Sequence, residues 1–218
     1  GAEQVTLENI VFDHGMKFSE EQERISQVSF VDEPGAGPIV STASADASER
    51  KWVQHARGRV RIEPGRFDAV SYAPTVIRAR CDKEVSVPET YTKFETIGFQ
   101  HGPSFRAVEQ IWFGKDEALG FISCPHHLAN EVNRYRAHPV LLDACFQVAT
   151  GLIFEFSPAQ LVLPTGIDRF QFRTSLPSKF WVHASVVVEP ARDTELPRIN
   201  LRMLGDDGTL YMELLSLR

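Results

Sequence analysis

The stretch Pro139-Val-Leu-Leu-Asp-Ala-Cys-Phe-Gln-Val-Ala-Thr-Gly-Leu-Ile-Phe154 constrains the fold more than any other part of the chain, because its apolar residues fall on every face of a helix. A helix apolar all round cannot lie on a surface; it has to be enclosed by other structure. Pro139 stands in the first turn, where its missing N–H would have had no intrahelical partner. Asp143 is the only charged side chain in the run. Burying an ionised carboxylate without partners is costly, so such a group raises its pKa, gains hydrogen bonds, or both. Gln147, four residues on, shares its helical face one turn away and carries an amide able to orient the carboxyl group. Two local readings stand open: a proton-donating acid, or a structural Asp tied to nearby backbone N–H groups.

The remaining sequence supplies strands to do the enclosing. Residues 5–12, 23–31, 38–44 and 54–62 have strand-like alternation or β-branched content with Gly, Pro or acidic turns between them, the pattern of an antiparallel meander. Residues 66–88 cross with little periodicity, as a connection between two units would. A second helix is expected over 88–97, with Pro88 and Glu89 suited to its start and Gly98 to its end. Strands follow at 107–113, 118–124, 169–173, 180–189, 199–204 and 210–217, the last pair joined by the hairpin turn Gly205-Asp-Asp-Gly208. Residues 41–50 are polar enough to form a mobile loop. One buried helix wrapped by a curved antiparallel sheet is the hot-dog arrangement.

Composition narrows the function classes. With 218 residues and 43% hydrophobic content the chain can build one large domain or two small ones. No apolar run reaches the eighteen or so residues of a membrane span. Gly1-Ala2-Glu3-Gln4 has neither the basic nor the apolar part of a signal peptide, so a cytoplasmic location is expected. Cys81, Cys124 and Cys145 are an odd number without metal-type spacing, which points to free thiols and to no metal site. The net charge of −6 argues against a general nucleic-acid binder. Arg57, Arg59 and Arg61 alternate as the solvated face of a strand would, and Arg134 and Arg136 form a basic spot just ahead of the apolar helix.

Several separated stretches then resemble, in order, the dehydratase domains of modular polyketide synthases. They are Trp52-Val-Gln-His-Ala-Arg-Gly58, His101-Gly-Pro-Ser-Phe105, His138-Pro-Val-Leu-Leu-Asp-Ala-Cys-Phe-Gln147, Leu163-Pro164 and Gly205-Asp-Asp-Gly-Thr209. The Gly-Pro-x-Phe and His-Pro-x-Leu-Leu-Asp-x-x-x-Gln pair is the specific part. The resemblance implies an α+β double hot-dog fold, two curved antiparallel sheets each meant to wrap a central helix. It implies an N-terminal unit at 1–66, a linker at 67–87 and a C-terminal unit at 88–218. It also implies that Asp143 is the acid and Gln147 its hydrogen-bonded companion. His101, Gly102, Pro103, Phe105, Leu142, Leu163 and Pro164 are then expected to bind the substrate. That substrate is a β-hydroxyacyl thioester on the phosphopantetheine arm of an acyl carrier protein, and no other cofactor is implied. A base takes the α-proton while an acid protonates the departing hydroxyl. Carrier-protein contact is expected at Arg134 and Arg136, with neighbouring synthase domains and a second copy of the chain as further partners.

Two departures bear on this. His101 stands where the family usually has Tyr, introducing a group able to titrate near neutrality. The family's base, a His in a His-x-x-x-Gly-x-x-x-x-Pro motif ahead of the strand starting here at Val5, has no match, since none of His14, His55, His126, His127, His138 and His183 fits it. The first hot-dog unit is therefore expected to be incomplete, lacking its helix and its base. The activity that follows is dehydration with a base from outside these residues. The alternatives are a non-catalytic remnant serving as scaffold or docking module, and a double-bond isomerase or cyclisation domain on the same fold.

Overall fold

The computed structural model describes residues 3–18, 23–35, 37–47, 51–64, 72–156, 161–188 and 196–218. In chain order the strands are β1 (Glu3–Phe12), β2 (Arg24–Val31), β3 (Ile39–Asp46), β4 (Trp52–Pro64), β5 (Lys83–Val85), β6 (Val108–Phe113), β7 (Glu117–Ser123), β8 (Gly166–Phe172), β9 (Lys179–Val188), β10 (Arg198–Leu204) and β11 (Leu210–Leu217). The helices are α1 (Pro74–Arg78), α2 (Val87–Thr96) and α3 (Pro139–Phe156). All strand pairs are antiparallel, and among the described residues they form one open sheet in the order β2-β3-β4-β1-β8-β11-β10-β9-β7-β6-β5. The result is an α+β fold with few helices. Register between β1 and β8, with Thr6 opposite Gln171 and Leu7 opposite Phe170, joins the first four strands to the rest of the sheet. The hairpin read at 205–208 closes β10 onto β11, with Gly208 at φ +83° and Asp207 Oδ1 accepting from the Thr209 amide.

Helix α3 lies against β6, β7, β9 and β10. Val140, Leu141, Ala144, Cys145, Val148, Ala149 and Leu152 are buried on that side, in one core with Ile111, Ile122, Phe180, Val182, Leu201 and Met203. At Gly120 the helix rests on the strand backbone, since a Cβ there would stand 2.5 Å from Val148 Cγ2. The opposite stripe of α3, carrying Asp143, Phe146, Thr150 and Ile153, is only half-buried. This corrects the expectation of a fully enclosed helix: the sheet covers one side, and among the described residues no second layer covers the other. The helix is also longer than the run read from sequence, and its 18 residues are long and apolar enough to cross a membrane by composition. Its packing against four strands is that of a core helix.

Residues 72–87, within the segment read as a linker, form α1 and β5. Strand β5 pairs with β6. Helix α1 brings Ile77 into a second core with Cys81, Trp112, Leu119, Leu204 and Leu210. Trp112 and Leu119 alternate along their strands with Ile111 and Gly120, so this core lies on the sheet face away from α3. Residues 65–71 fall outside the described part. Most of the segment expected to be a mobile loop at 41–50 is strand, with β3 running to Asp46 and residues 48–50 outside the described part. Two of its serines are partnered across the sheet. Ser41 bonds Ser29 at 2.8 Å, and buried Ser44 bonds His55 Nε2 at 2.7 Å.

The two faces of β1–β4 differ sharply in chemistry. One carries Glu8 between Arg61 and Arg169, Arg59 bonded to Glu33, and the Ser29–Ser41 pair, as the alternating arginines foretold. On the other, register aligns Val28 with Thr42, Ala56 and Phe12, and Phe30 with Val40 and Gly58, with Val60 and Ile62 continuing the row along β4. Leu7 opposite Phe170, itself opposite Leu214 in the core, identifies this as the face on which α3 packs. Yet Phe30 is 68% exposed, Ile62 60% and Val28 59%. Among the described residues, the apolar sheet face that α3 covers at one end is bare at the other.

Candidate active site

The site is assembled from three local structures. Helix α2 begins at Ser86, whose hydroxyl accepts from the Glu89 amide, and stops at Gly98, which adopts φ +105°. Its buried residues Tyr91 and Phe94 are three apart and so share the face turned inward. The segment after it makes a single 3-10 turn, Pro103–Phe105, preceded by Gly102 in extended conformation. Helix α3 is capped by His138, whose Nδ1 and carbonyl accept from the Val140 and Leu141 amides, so His138 is engaged at the helix start.

Gln147 is 4% exposed, and both N–H groups and the oxygen of its amide are engaged. Its Nε2 donates to the Phe105 carbonyl at 2.8 Å and to Asp143 Oδ2 at 2.7 Å, while its Oε1 accepts from the Tyr91 hydroxyl at 2.9 Å. A carbonyl can only accept, so the Phe105 contact fixes which end of the amide is nitrogen. Asp143 Oδ2 must then be an acceptor. A proton carried by this carboxyl group sits on Oδ1, the oxygen left for the cavity. Burial pushes the Tyr91 phenol up to about 12, so it remains a donor throughout the working range. Tyr91→Phe leaves the Gln147 oxygen without its partner in the interior. Denaturant unfolding should register a loss of about 1–3 kcal/mol.

Asp143, Gln147 and His101 line one cavity of about 400 Å³, with Phe94, Phe99, Phe146, Thr150, Val162, Leu163 and Pro164 completing its wall. Five of these, Phe146, Thr150, Val162, Leu163 and Pro164, are shared with an apolar groove of about 420 Å³ that continues past Ile153 to Leu196, Pro197, Ile199 and Leu217. The two together run along the half-buried stripe of α3, polar at the Asp143 end and apolar at the other. A carboxyl group beside an oily channel suits chemistry on the polar end of a mostly apolar molecule.

Of the residues singled out in the sequence, Asp143, Gln147, His101, Leu163 and Pro164 therefore come together, from separate segments of the chain. Phe105 contributes its carbonyl to Gln147 and leaves its ring 41% exposed. Gly102 and Pro103 are exposed in the supporting turn, and Leu142, on α3 next to Asp143, is partly buried against the core. Arg134 and Arg136 are exposed ahead of α3. Tyr91, Phe94, Phe99, Phe146 and Thr150 were not anticipated as site residues. The three-residue spacing of Tyr91 and Phe94 marked an inward face of α2, but nothing local says what that face meets.

A family sequence model described as "Polyketide synthase dehydratase N-terminal domain" matches residues 71–218, more than half the chain. Among curated proteins, polyketide synthase PksN of Bacillus subtilis (strain 168) is 24% identical over 179 residues, covering 82% of this chain and 3% of that protein. The mycoketide-CoA synthase of Mycobacterium tuberculosis is 31% identical over 129 residues, covering 58% of this chain and 3% of that protein. The chain thus corresponds to a small fraction of each of these relatives. Among solved structures, the dehydratase domain from the CurF module of the curacin polyketide synthase matches with TM-score 0.90 and 26% identity, covering all of this chain and 76% of that one. The dehydratase domain from the CurK module matches with TM-score 0.89 and 21% identity, over all of this chain and 75% of that one. With its fold and most of its sequence pointing one way, the chain belongs to the polyketide synthase dehydratase family.

Proposed function

We propose that these residues form the acid-bearing part of a dehydratase that removes water from a β-hydroxyacyl thioester carried on an acyl carrier protein in the cytoplasm. In this reading the fold is a double hot-dog whose units lie at 1–66 and 88–218, joined by 67–87, and whose first unit lacks its central helix. A base outside these residues takes the α-proton, and the electrons of that C–H bond form the α,β double bond. The C–O bond to the β-hydroxyl breaks as Asp143 Oδ1 delivers its proton, so water leaves and Asp143 is left as a carboxylate held by Gln147. Both groups are needed because the α-proton is weakly acidic and hydroxide is a poor leaving group.

One observation carries this reading: the bare apolar face of β1–β4, continuous with the face that α3 covers. Val28, Phe30 and Ile62 exposed in a row are not a surface that water alone should cover. A helix laid there, next to α3, would close the open side of the Asp143 cavity and could present a base across it. The carrier protein, an acidic partner, is placed at Arg134 and Arg136, with neighbouring synthase domains and a second copy of the chain as other partners.

The test compares water loss from a β-hydroxyacyl carrier protein, followed by mass change, for the 218 residues alone and together with the sequence immediately upstream. The expected result is at most slow turnover alone and dehydration on addition. Rapid turnover by the 218 residues alone would overturn the assignment of the base to an outside segment.

A further inference from the structure

We infer that His101, through its Nε2–H, is the hydrogen-bond donor that holds the substrate's β-hydroxyl oxygen against Asp143. The inference deepens the proposed dehydration and rests on that reading for the identity of the hydroxyl. It starts from an orphan. His101 Nδ1 is buried without a hydrogen-bond partner, although the ring lines the Asp143 cavity. Nε2 is then the ring nitrogen available to that cavity.

The orphan decides the tautomer. A buried N–H without an acceptor is rarer and more costly than a buried lone pair without a donor. The proton of the neutral ring therefore belongs on Nε2, and Nδ1 is left as the bare lone pair. Charging the ring would require a second N–H at Nδ1, where no acceptor stands. Desolvation accordingly pushes the His101 pKa down, assisted by the Arg106 guanidinium and opposed by the carboxylates of Asp143 and Glu95.

The plane of the ring is held by its neighbours. Phe99 stacks on it at 5.6 Å and 22°, Phe94 packs at 5.3 Å and Tyr91 edge-on at 5.8 Å. Its backbone is held as well: Arg106 Nε donates to the His101 carbonyl at 3.0 Å while its Nη2 binds Glu95 at 2.6 Å. Around the cavity, both N–H groups of Gln147 are engaged, so it can only accept, and the Thr150 hydroxyl lies two helical turns from Asp143. The groups beside Asp143 that can donate to a ligand oxygen are thus His101 Nε2–H and Asp143 Oδ1. A hydroxyl oxygen offers two lone pairs, one for each, and both hydrogen bonds strengthen it as a leaving group. An acyl chain with no oxygen at that carbon leaves both donors unpaired.

The experiment needs no turnover. Nitrogen-15 NMR of the wild-type chain, with the His101 signals assigned by their loss in His101→Phe, should show Nε2 protonated, Nδ1 unprotonated and the ring neutral at pH 7. A proton on Nδ1, or a charged ring, would overturn the inference. Affinities are then measured for a 3-hydroxyacyl pantetheine thioester and for the same thioester lacking the hydroxyl. Wild type should prefer the hydroxylated compound, and His101→Phe should cut that preference by roughly three- to tenfold, the worth of one hydrogen bond, with the Asp143 bond left in place. His101→Gln, which keeps a side-chain N–H, should recover part of the loss. No preference in wild type, or equal weakening of both compounds in His101→Phe, would show that the ring only packs. If the tautomer and the hydroxyl preference hold while no assembly of the protein dehydrates, the proposed reaction fails and the role of His101 in holding a hydroxyl stands.

Discussion

Asp143→Asn is expected to lower the rate of water loss by roughly 10²–10⁴-fold, the usual contribution of a positioned general acid. The measurement belongs in a preparation that contains the base, with product formation followed by mass change. Asn has the size of Asp and keeps an oxygen to accept from Gln147 Nε2, which now lies 2.7 Å from the carboxylate. The Gln147 amide therefore keeps its bonds to Phe105 and Tyr91, and the thermal midpoint should be nearly unchanged. What the amide lacks is a proton it can release to a leaving hydroxyl. A variant that retains its rate within threefold would mean that the proton comes from elsewhere, and the chemical role assigned to Asp143 would fall even though its geometry is intact.

Leu141→Ala is expected to produce the largest loss of stability among simple truncations close to the site. Leu141 is fully buried, two residues before Asp143 on the side of α3 that meets the sheet. Removing its isobutyl group leaves a cavity between helix and sheet that Val148 and Phe180, both almost wholly buried, have little freedom to fill. Such truncations cost about 2–5 kcal/mol. Urea denaturation should show a lower midpoint with unchanged slope. Leu163→Ala at the cavity mouth, where the side chain is 66% exposed, is the contrasting control and should cost far less. A loss below about 1 kcal/mol for Leu141→Ala would contradict the tight helix-on-strand contact that Gly120 marks.

Much of this protein was readable from local pattern. Alternation in 54–62 announced β4 and, through Arg57, Arg59 and Arg61, which face would be solvated. Pro139 marked the start of α3, and the turn at 205–208 announced the last hairpin. The short elements α1 and β5 were missed. Each is too brief to show a period, and each is held by its neighbour, β5 by pairing with β6 and α1 by the core around Trp112. Residues 41–50 suggested a mobile loop by their polarity, although 38–44 also had strand-like content. In the sheet the hydroxyls of Ser41 and Ser44 find Ser29 and His55, and a polar strand costs little when its buried hydroxyls are partnered.

The candidate site divides along the same line. That Asp143 and Gln147 share one helical face follows from their spacing alone, because the helix turns every 3.6 residues whatever surrounds it. That the amide is locked by Phe105 and Tyr91, that His101 stands over the same cavity in a cage of aromatic rings, and that α3 is open on the Asp143 side all depend on segments far apart in the chain. Hydrogen bonds and packing between distant segments leave no periodic trace in either one. The sequence by itself determined which residue types were available, which helix had to be covered and which carboxylate needed a partner. The tertiary structure decided which partner it received and which apolar face was left bare, because those outcomes depend on how the sheet brings its strands and helices together rather than on any single stretch of chain.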